Sequence, residues 1–408
     1  MLSNWLCMPI AWIVSAAAAA SPLGLLETQR LAVAEQPLLE VQRANSISQR
    51  AAASAAQQLP DPKLKLALQN VPIDTFSLSE DFMTQRTVAI EQMFPGGKKR
   101  ALRGRRGEQE AQQSEAELAV AQRAIQRDSA LAWLDLYYLV QNRLLLREQQ
   151  QELRANVAAL RIGYAADKVS QAEVLAAQNE LHQLGDRMIE LDGQIARARA
   201  MLARWIGAAA EREVDPVLPT LSVLTLDQLL AQIANHAELR VYEKNIATSE
   251  TEVLLAREAR RPDWSLEVAY SKRGRAYADM VSLQLGFELP VSPASRQDQE
   301  TAAKRALLER VRFQREDRLR SLAAEIQAEY ADYRAAMARI AALENTTLDT
   351  ARQRIAAARI AYQNAKGPLN MVYEAHHAEL DTRLQLLAQR VASARAAIRL
   401  RYLSAEEI

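Results

Sequence analysis

Two short runs of this chain alternate apolar and polar residues, against a background of helical periodicity. In the clearer run Val281, Leu283, Leu285, Phe287 and Leu289 share one side, and Ser282, Gln284, Gly286 and Glu288 share the other. A weaker copy sets Val88, Ile90, Gln92 and Phe94 against Thr87, Ala89, Glu91 and Met93. A period of two is the signature of a strand with one apolar face. Elsewhere the apolar residues step by three and four. Leu181, Leu184, Met188, Leu191, Ile195, Ala198 and Leu202 do so, as do Leu380, Leu384, Leu387, Val391, Ala394 and Ile398. That spacing is the seam of a coiled coil. Leu322, Ile326, Tyr330, Tyr333, Met337 and Ile340 follow a similar helical spacing.

These periods divide the chain. Residues 24–58 are expected to be helical, and 63–72 and 84–94 to be strands, the second broken by Pro95-Gly96-Gly97. From residue 98 to 163 there is no proline and almost no glycine. A helix of about 65 residues would be ~100 Å long at 1.5 Å per residue. A turn is expected near Asp167. Ser170 with Glu173 then forms a capping-box pattern that restarts a helix running to 207. Pro216 and Pro219 mark 208–225 as a linker. The second half repeats the plan: helix 226–260, strands 265–273 and 278–289, a long helix 295–362, the punctuation Gly367-Pro368, and a last helix.

The repeat is also visible in single residues. Pro60-Asp61 recurs as Pro262-Asp263, Pro95 as Pro290, Arg161-Ile162-Gly163-Tyr164 as Arg359-Ile360-Ala361-Tyr362, and Val174 as Val372, at offsets of about 195 to 202. A tandem duplication follows. The first copy is 21–207 with a helical hairpin over 98–207, and the second is 226–404 with a hairpin over 295–404. A short tail remains at 405–408.

Composition and charge narrow the partners. Lys and Arg number 51 against 50 Asp and Glu, so no global field selects a nucleic acid. Residues 1–20 resemble a secretory signal, apolar from Leu6 to Val14 and followed by small residues. The only cysteine is Cys7, inside that segment and preceded by Leu6, which argues against a lipid anchor. No later segment has the length and apolarity of a membrane helix. A membrane-spanning reading therefore needs the strands, with one face to lipid and one to water. Four strands cannot close a barrel and open edges do not persist in lipid, so that reading also requires an oligomer. The same alternation suits a half-buried sheet packed on helices. No phosphate loop, nucleophile motif or cofactor-binding pattern occurs, which argues against an enzyme. The histidines are His182, His236, His376 and His377. The adjacent pair His376-His377 points in two directions on a helix, with no cysteine or spaced carboxylate to complete a metal site.

The chain resembles the TolC family of outer-membrane efflux proteins over essentially its whole length after the signal segment. The resemblance rests on the opening helix 26–41, Pro60-Asp61-Pro62, Gln92-Met93-Phe94-Pro95-Gly96-Gly97-Lys98 and two hairpin tips, 164–175 and 362–373. At the tips the family typically has a glycine three residues after the tyrosine, where this chain has Asp167 and Ala365. The resemblance implies a mainly α fold with a small β part. Long antiparallel coiled-coil helices would form an α-barrel, and each protomer of a homotrimer would give four strands to a twelve-stranded membrane β-barrel. It implies outer-membrane lipid facing Val281, Leu283, Leu285, Phe287, Leu289, Val88 and Ile90. A periplasmic membrane-fusion adaptor would meet Tyr164, Asp167, Lys168, Val169, Ser170, Tyr362, Ala365, Lys366, Gly367 and Pro368, with an inner-membrane RND-type pump as the energy source. The Pro-Asp-Pro and Phe-Pro-Gly-Gly-Lys stretches look most like the cobalt–zinc–cadmium efflux branch. Drugs or a secreted protein are the alternative cargo. The rival of another class is a periplasmic coiled-coil adaptor or scaffold, which usually has one hairpin flanked by compact β-domains.

Overall fold

A computed structural model describes residues 21–364 and 366–404. The signal-like segment 1–20 with Cys7, the tip residue Ala365 and the tail 405–408 lie outside the described residues. The helices are α1 (Leu25–Glu35), α2 (Pro37–Ala56), α3 (Lys99–Ala165), α4 (Gln171–Ile206), α5 (Leu226–Gln232), α6 (Ala237–Glu258), α7 (Gln297–Ala342), α8 (Leu348–Gln363) and α9 (Asn370–Leu403). The strands are β1 (Lys63–Gln69), β2 (Gln85–Phe94), β3 (Asp263–Lys272) and β4 (Met280–Glu288). The chain divides into two compact units, and the long helices contribute to both.

Three expected helices are interrupted. Pro37 starts α2 and ends the opening helix at Glu35, because proline suits a first helical turn but not an interior. A 3₁₀ turn at Ile233–Asn235 separates α5 from α6. The expected helix 295–362 carries a π turn at Leu343–Thr347. Thr347 Oγ1 donates to the Ala342 carbonyl at 3.4 Å and Thr350 Oγ1 to the Thr346 carbonyl at 2.8 Å, so side chains compete for the backbone ladder there. In the first half α3 runs unbroken for 67 residues.

One unit holds residues 21–35, Ile125–Ser222 and Asp332–Ile398. Its core is the heptad seam between α3 and α4. Leu146, Leu153, Leu184 and Leu191 are buried together, with Leu139, Leu181, Met188, Ile195 and Leu384 packed around them. Nearer the turn, Val157, Leu160, Val174 and Ala177 form a second cluster. Not every apolar residue at helical spacing is covered: Met337 is exposed while its neighbour Ala336 is buried. The linker is anchored rather than loose. Leu23 pairs with Val214, and the Leu23 carbonyl also accepts from Trp133 Nε1 at 2.8 Å. Trp133 is fully buried and stacks on Tyr137, whose hydroxyl donates to the Pro216 carbonyl at 3.3 Å.

The other unit holds Gln36–Ala124, Val223–Ala331 and residues 399–404. It contains the antiparallel sheet, ordered β1-β2-β3-β4. The central pair β2–β3 joins the two repeats, so neither half makes this sheet alone. The two sequence motifs meet at one end of it. Asp263 Oδ1 accepts from the Gly96 amide at 2.6 Å and from Lys99 Nζ at 2.7 Å, and Lys99 also reaches the Arg261 carbonyl at 2.8 Å. A Cβ on Gly96 would sit 2.0 Å from the Pro262 carbonyl oxygen, and Gly97 has φ +60°. Close approach and a left-handed backbone explain the two glycines. Gln92 Nε2 donates to the Pro60 carbonyl at 2.8 Å, tying in the first Pro-Asp motif. No helix among the described residues is long and apolar enough to cross a membrane.

Candidate functional sites

The sheet presents one apolar face across all four strands. Antiparallel register sets Leu66, Val88, Tyr270 and Val281 in one row and Leu64, Ile90, Val268 and Leu283 in the next. Leu266 and Leu285 follow, with the polar Gln92 beside them on β2, then Phe94, Trp264 and Phe287. Side chains of alternate residues share a face, so these rows form a continuous surface. Nothing in the unit covers the first two rows: their residues are 47–75 % exposed. The expected lipid-facing residues Val88, Ile90, Val281, Leu283, Leu285 and Phe287 all lie on this face and are exposed, and so is Leu289, just past the end of β4. The sequence reading assigned lipid-facing residues only on β2 and β4; the alternation of Leu64, Leu66 and Val268 is legible in the chain as part of the repeat, but they were left out of that set.

The opposite face is polar. Lys65 Nζ lies 2.8 Å from Glu91 and 2.7 Å from Glu267, bridging three strands. Small residues line the rest: Ala89, Ala269, Thr87 and Ser271 are buried, and the last two hydroxyls are 2.9 Å apart. The outer strands β1 and β4 each have one unpaired edge among the described residues.

The two hairpin turns belong to the helical unit and are built alike. In the first, the Lys168 amide donates to the Gly163 carbonyl at 2.9 Å and the Asp167 amide to Tyr164 at 3.0 Å. That pair of bonds is a Schellman motif. Asp167 has φ +53°, so it takes the left-handed position at which glycine is preferred. Val169 packs onto the adjacent cluster, and its Cγ2 would be 2.6 Å from a Cβ on Gly163. Ser170 then caps α4 with both bonds of the capping box: the Glu173 amide to Ser170 Oγ at 3.3 Å, and the Ser170 amide to Glu173 at 2.9 Å. The Ser170 amide, assisted by its hydroxyl, lowers the pKa of the Glu173 carboxyl.

In the second turn the Lys366 amide donates to the Ala361 carbonyl at 2.8 Å, the counterpart of Lys168 to Gly163. Gly367 is crowded by Met371, whose sulfur would be 3.2 Å from an added Cβ. Pro368 precedes α9 rather than opening it, and its carbonyl accepts from the Met371 amide at 3.3 Å. Tyr164 and Tyr362 are both exposed. So are Ile162 and Ile360, which the sequence reading left out although the repeat aligns them. Each turn thus presents an exposed isoleucine and tyrosine on a hydrogen-bonded frame.

Between α3, α4 and α9 runs a groove of about 500 Å³ with Glu152, Glu173, Glu180, Glu374 and Asp381 along it. His376 Nδ1 lies 3.3 Å from Glu152, and His377 Nδ1 lies 3.2 Å from Asp381. The two imidazoles therefore serve different carboxylates. Burial raises the pKa of the Tyr373 phenol, and Tyr362 and Glu152 add to the shift. Among the described residues no group of three His, Cys, Asp or Glu could hold a metal ion.

No protein-family model matches the sequence. No curated protein matches it either. Solved structures do. A crystal structure of CusC, described in terms of folding and transmembrane channel formation, superposes with a TM-score of 0.77 at 14% identity, covering 93% of this chain and 91% of that one. The outer membrane protein VceC of Vibrio cholerae gives 0.75 at 18% identity, covering 93% and 94%. The CmeC outer membrane channel of Campylobacter jejuni gives 0.77 at 11% identity, covering 94% and 87%. At such identities the likeness speaks for the fold, and over nearly its whole length this chain has the fold of these outer-membrane channel proteins.

Proposed function

We propose that this chain is the outer-membrane channel of a tripartite efflux pump, a passive homotrimeric conduit rather than an enzyme. The observation that carries the reading is the bare apolar face of the sheet, backed by a polar face and bounded by two open edges. Such a face is stable in lipid, and the edges need neighbours there. Three copies pairing β4 with the next β1 would give a closed barrel of twelve strands. The helical hairpins would extend into the periplasm, with Tyr164, Asp167, Lys168, Val169, Ser170, Tyr362, Ala365, Lys366, Gly367 and Pro368 meeting a membrane-fusion adaptor. An RND-type pump in the inner membrane would supply the energy. Two helical hairpins and a single four-stranded sheet in one chain, with no compact β-domain among the described residues, speak against the adaptor or scaffold reading.

The cargo we propose is divalent heavy-metal cations. The support is the resemblance of Pro60-Asp61-Pro62 and Phe94-Pro95-Gly96-Gly97-Lys98 to the heavy-metal branch. The test is growth of a strain lacking this protein across zinc, cobalt, cadmium, nickel, copper and a panel of dyes and antibiotics. Sensitivity confined to the metals is expected. Sensitivity to the organic compounds alone would keep the conduit and overturn the cargo. Heat-resistant trimers in the outer-membrane fraction test the conduit itself, and their absence would remove it. For the adaptor contact, charge reversal at Asp167 or Lys168 is expected to weaken adaptor crosslinking and efflux together, and unchanged crosslinking would count against it.

A further inference from the structure

We propose that the helix-side rim of the sheet carries a binding surface for the headgroups of anionic glycerophospholipids. The proposal rests on the outer-membrane reading of the sheet. Its first element is the last row of the apolar face. Phe94, Trp264 and Phe287 lie side by side in register, with the Phe94 and Trp264 rings stacked at 4.2 Å and 16°. Aromatic rows of this kind settle where hydrocarbon gives way to headgroups.

The second element begins four residues later. The stretch Lys98-Lys99-Arg100-Ala101-Leu102-Arg103-Gly104-Arg105-Arg106 holds six cations in nine residues. It opens α3, whose first turn contains no acidic residue. The positive end of the helix dipole disfavours cations there. The counterpart helix α7 follows the ordinary rule, with Asp298 and Glu300 in its first turn. The helix itself therefore gives no reason for the charge.

Internal pairing accounts for only part of it. Lys99 is buried on Asp263, and Arg106 meets Glu110 at 3.3 Å. Lys98, Arg100, Arg103 and Arg105 are exposed, and among the described residues no carboxylate forms an ion pair with any of them. Arg257, exposed near the end of α6, adds a fifth such cation. The nearby Glu258 is already engaged by the Arg261 guanidinium and the Lys98 amide.

Lys98 directly precedes α3, and Arg100, Arg103 and Arg105 lie within its first two turns, a rise of about 5.4 Å each. Long basic side chains beside an apolar boundary reach for the headgroup layer. The cations are spread over an exposed surface, which suits a field of phosphodiesters better than a single free phosphate. Excess positive charge favours lipids of net negative charge over zwitterionic ones.

The test uses the full-length protein reconstituted in phosphatidylcholine with about one-fifth phosphatidylglycerol. The protein is extracted gently, and its retained lipids are counted by mass spectrometry. The wild type is expected to enrich phosphatidylglycerol, and added salt to erode the enrichment. The triple variant Lys98→Gln, Arg100→Gln, Arg103→Gln is expected to lose it, by roughly tenfold in relative retention. A control triple, Arg154→Gln, Arg334→Gln, Arg354→Gln, is expected to keep it. Equal enrichment in wild type and rim variant overturns the proposal. So does no enrichment in the wild type, as when a second copy of the chain occupies the cations, or equal loss in both triples. Should the rim triple not fold, Arg100→Gln and Arg103→Gln singly, with the wild-type salt titration, separate the same outcomes. Failure of the wild type to insert into any bilayer defeats the outer-membrane reading as well, whereas insertion with unchanged lipid selection defeats this proposal alone.

Discussion

The hairpin seam and the sheet face are both stripes of Leu, Val and Phe or Met, yet they end in opposite environments. On the seam Leu184 and Leu191 are 4% and 5% exposed, whereas on the sheet Leu283 and Val281 are 69% and 75% exposed. The seam satisfies itself, because α3 and α4 come from one segment of chain and turn back on each other. The sheet face has no partner within its own unit. Apolar area left bare costs free energy in water, about 25 cal/mol per Å². A face this continuous therefore implies an apolar medium or another protein surface. One stripe builds a protomer, and the other connects it to its surroundings.

The contrast can be broken most directly at the seam. Leu184→Ala is expected to cost about 2–5 kcal/mol, read as a lowered urea midpoint in detergent, because the α3–α4 packing can collapse only partly. The same truncation at Leu283, in detergent, is expected to change the midpoint far less. Equal effects would mean that the sheet face is buried against something within the chain. Next in size is a charge on the bare face. Leu283→Arg is expected to cost about 2–4 kcal/mol if that face meets lipid, seen as loss of folded protein from the outer-membrane fraction. On a water-facing surface the same change stays within about 0.5 kcal/mol.

A pH dependence sharpens the comparison from the helical part of the sheet-bearing unit. His236 is buried, with Nε2 3.2 Å from the Tyr402 carbonyl. Burial lowers its pKa. The Glu238 pKa is also lowered: burial, the largest single influence, opposes this, but the Arg318 bond at 2.6 Å and the Arg318 charge, with smaller contributions from His236 and the Tyr402 hydroxyl, together outweigh it. In both cases the unfolded chain takes up a proton first as pH falls. Their stabilisation is therefore whole above the ordinary imidazole value of 6.5 and is lost progressively below it, His236 first and Glu238 in the carboxylate range. A urea midpoint that falls between about pH 7.5 and about pH 5 in the wild type, and falls less in His236→Gln, is expected. Identical slopes would remove His236 from the account. The smallest effect belongs to the first tip. Asp167→Gly relieves a side chain held at φ +53° and is expected to stabilise the protein by a few tenths to about 1 kcal/mol. Destabilisation would show that the aspartate side chain contributes more than its backbone strain costs.

Much of the fold was legible because it is local. Period-two runs gave strands, heptads gave the hairpin, and Ser170 with Glu173 gave the restart of α4. The interruptions were harder to read. Pro37 was in plain view inside an apolar pattern that nevertheless continues across it. The π turn at Leu343–Thr347 depends on side-chain bonds from Thr347 and Thr350 that a spacing pattern does not register. At the tips the turn positions could be read from the chain, but the exposure of Ile162 and Ile360 could not. Helical spacing places them beside apolar neighbours, and only packing leaves them uncovered.

The sequence by itself determined the hairpins and the two-faced strands, because each follows from residues within a few positions of one another, and the duplicated plan, because those same local patterns recur in the second half. Only the tertiary structure decided which strands are neighbours. The β2–β3 pairing aligns residues 170 to 186 positions apart, from Phe94 with Trp264 to Arg86 with Lys272. It also brought Asp263 to Gly96 and Lys99, giving two separate motifs one shared bond network. Period two tells which residues share a face of a strand. Whether that face is covered depends on what the rest of the chain places against it, and here the described chain places nothing.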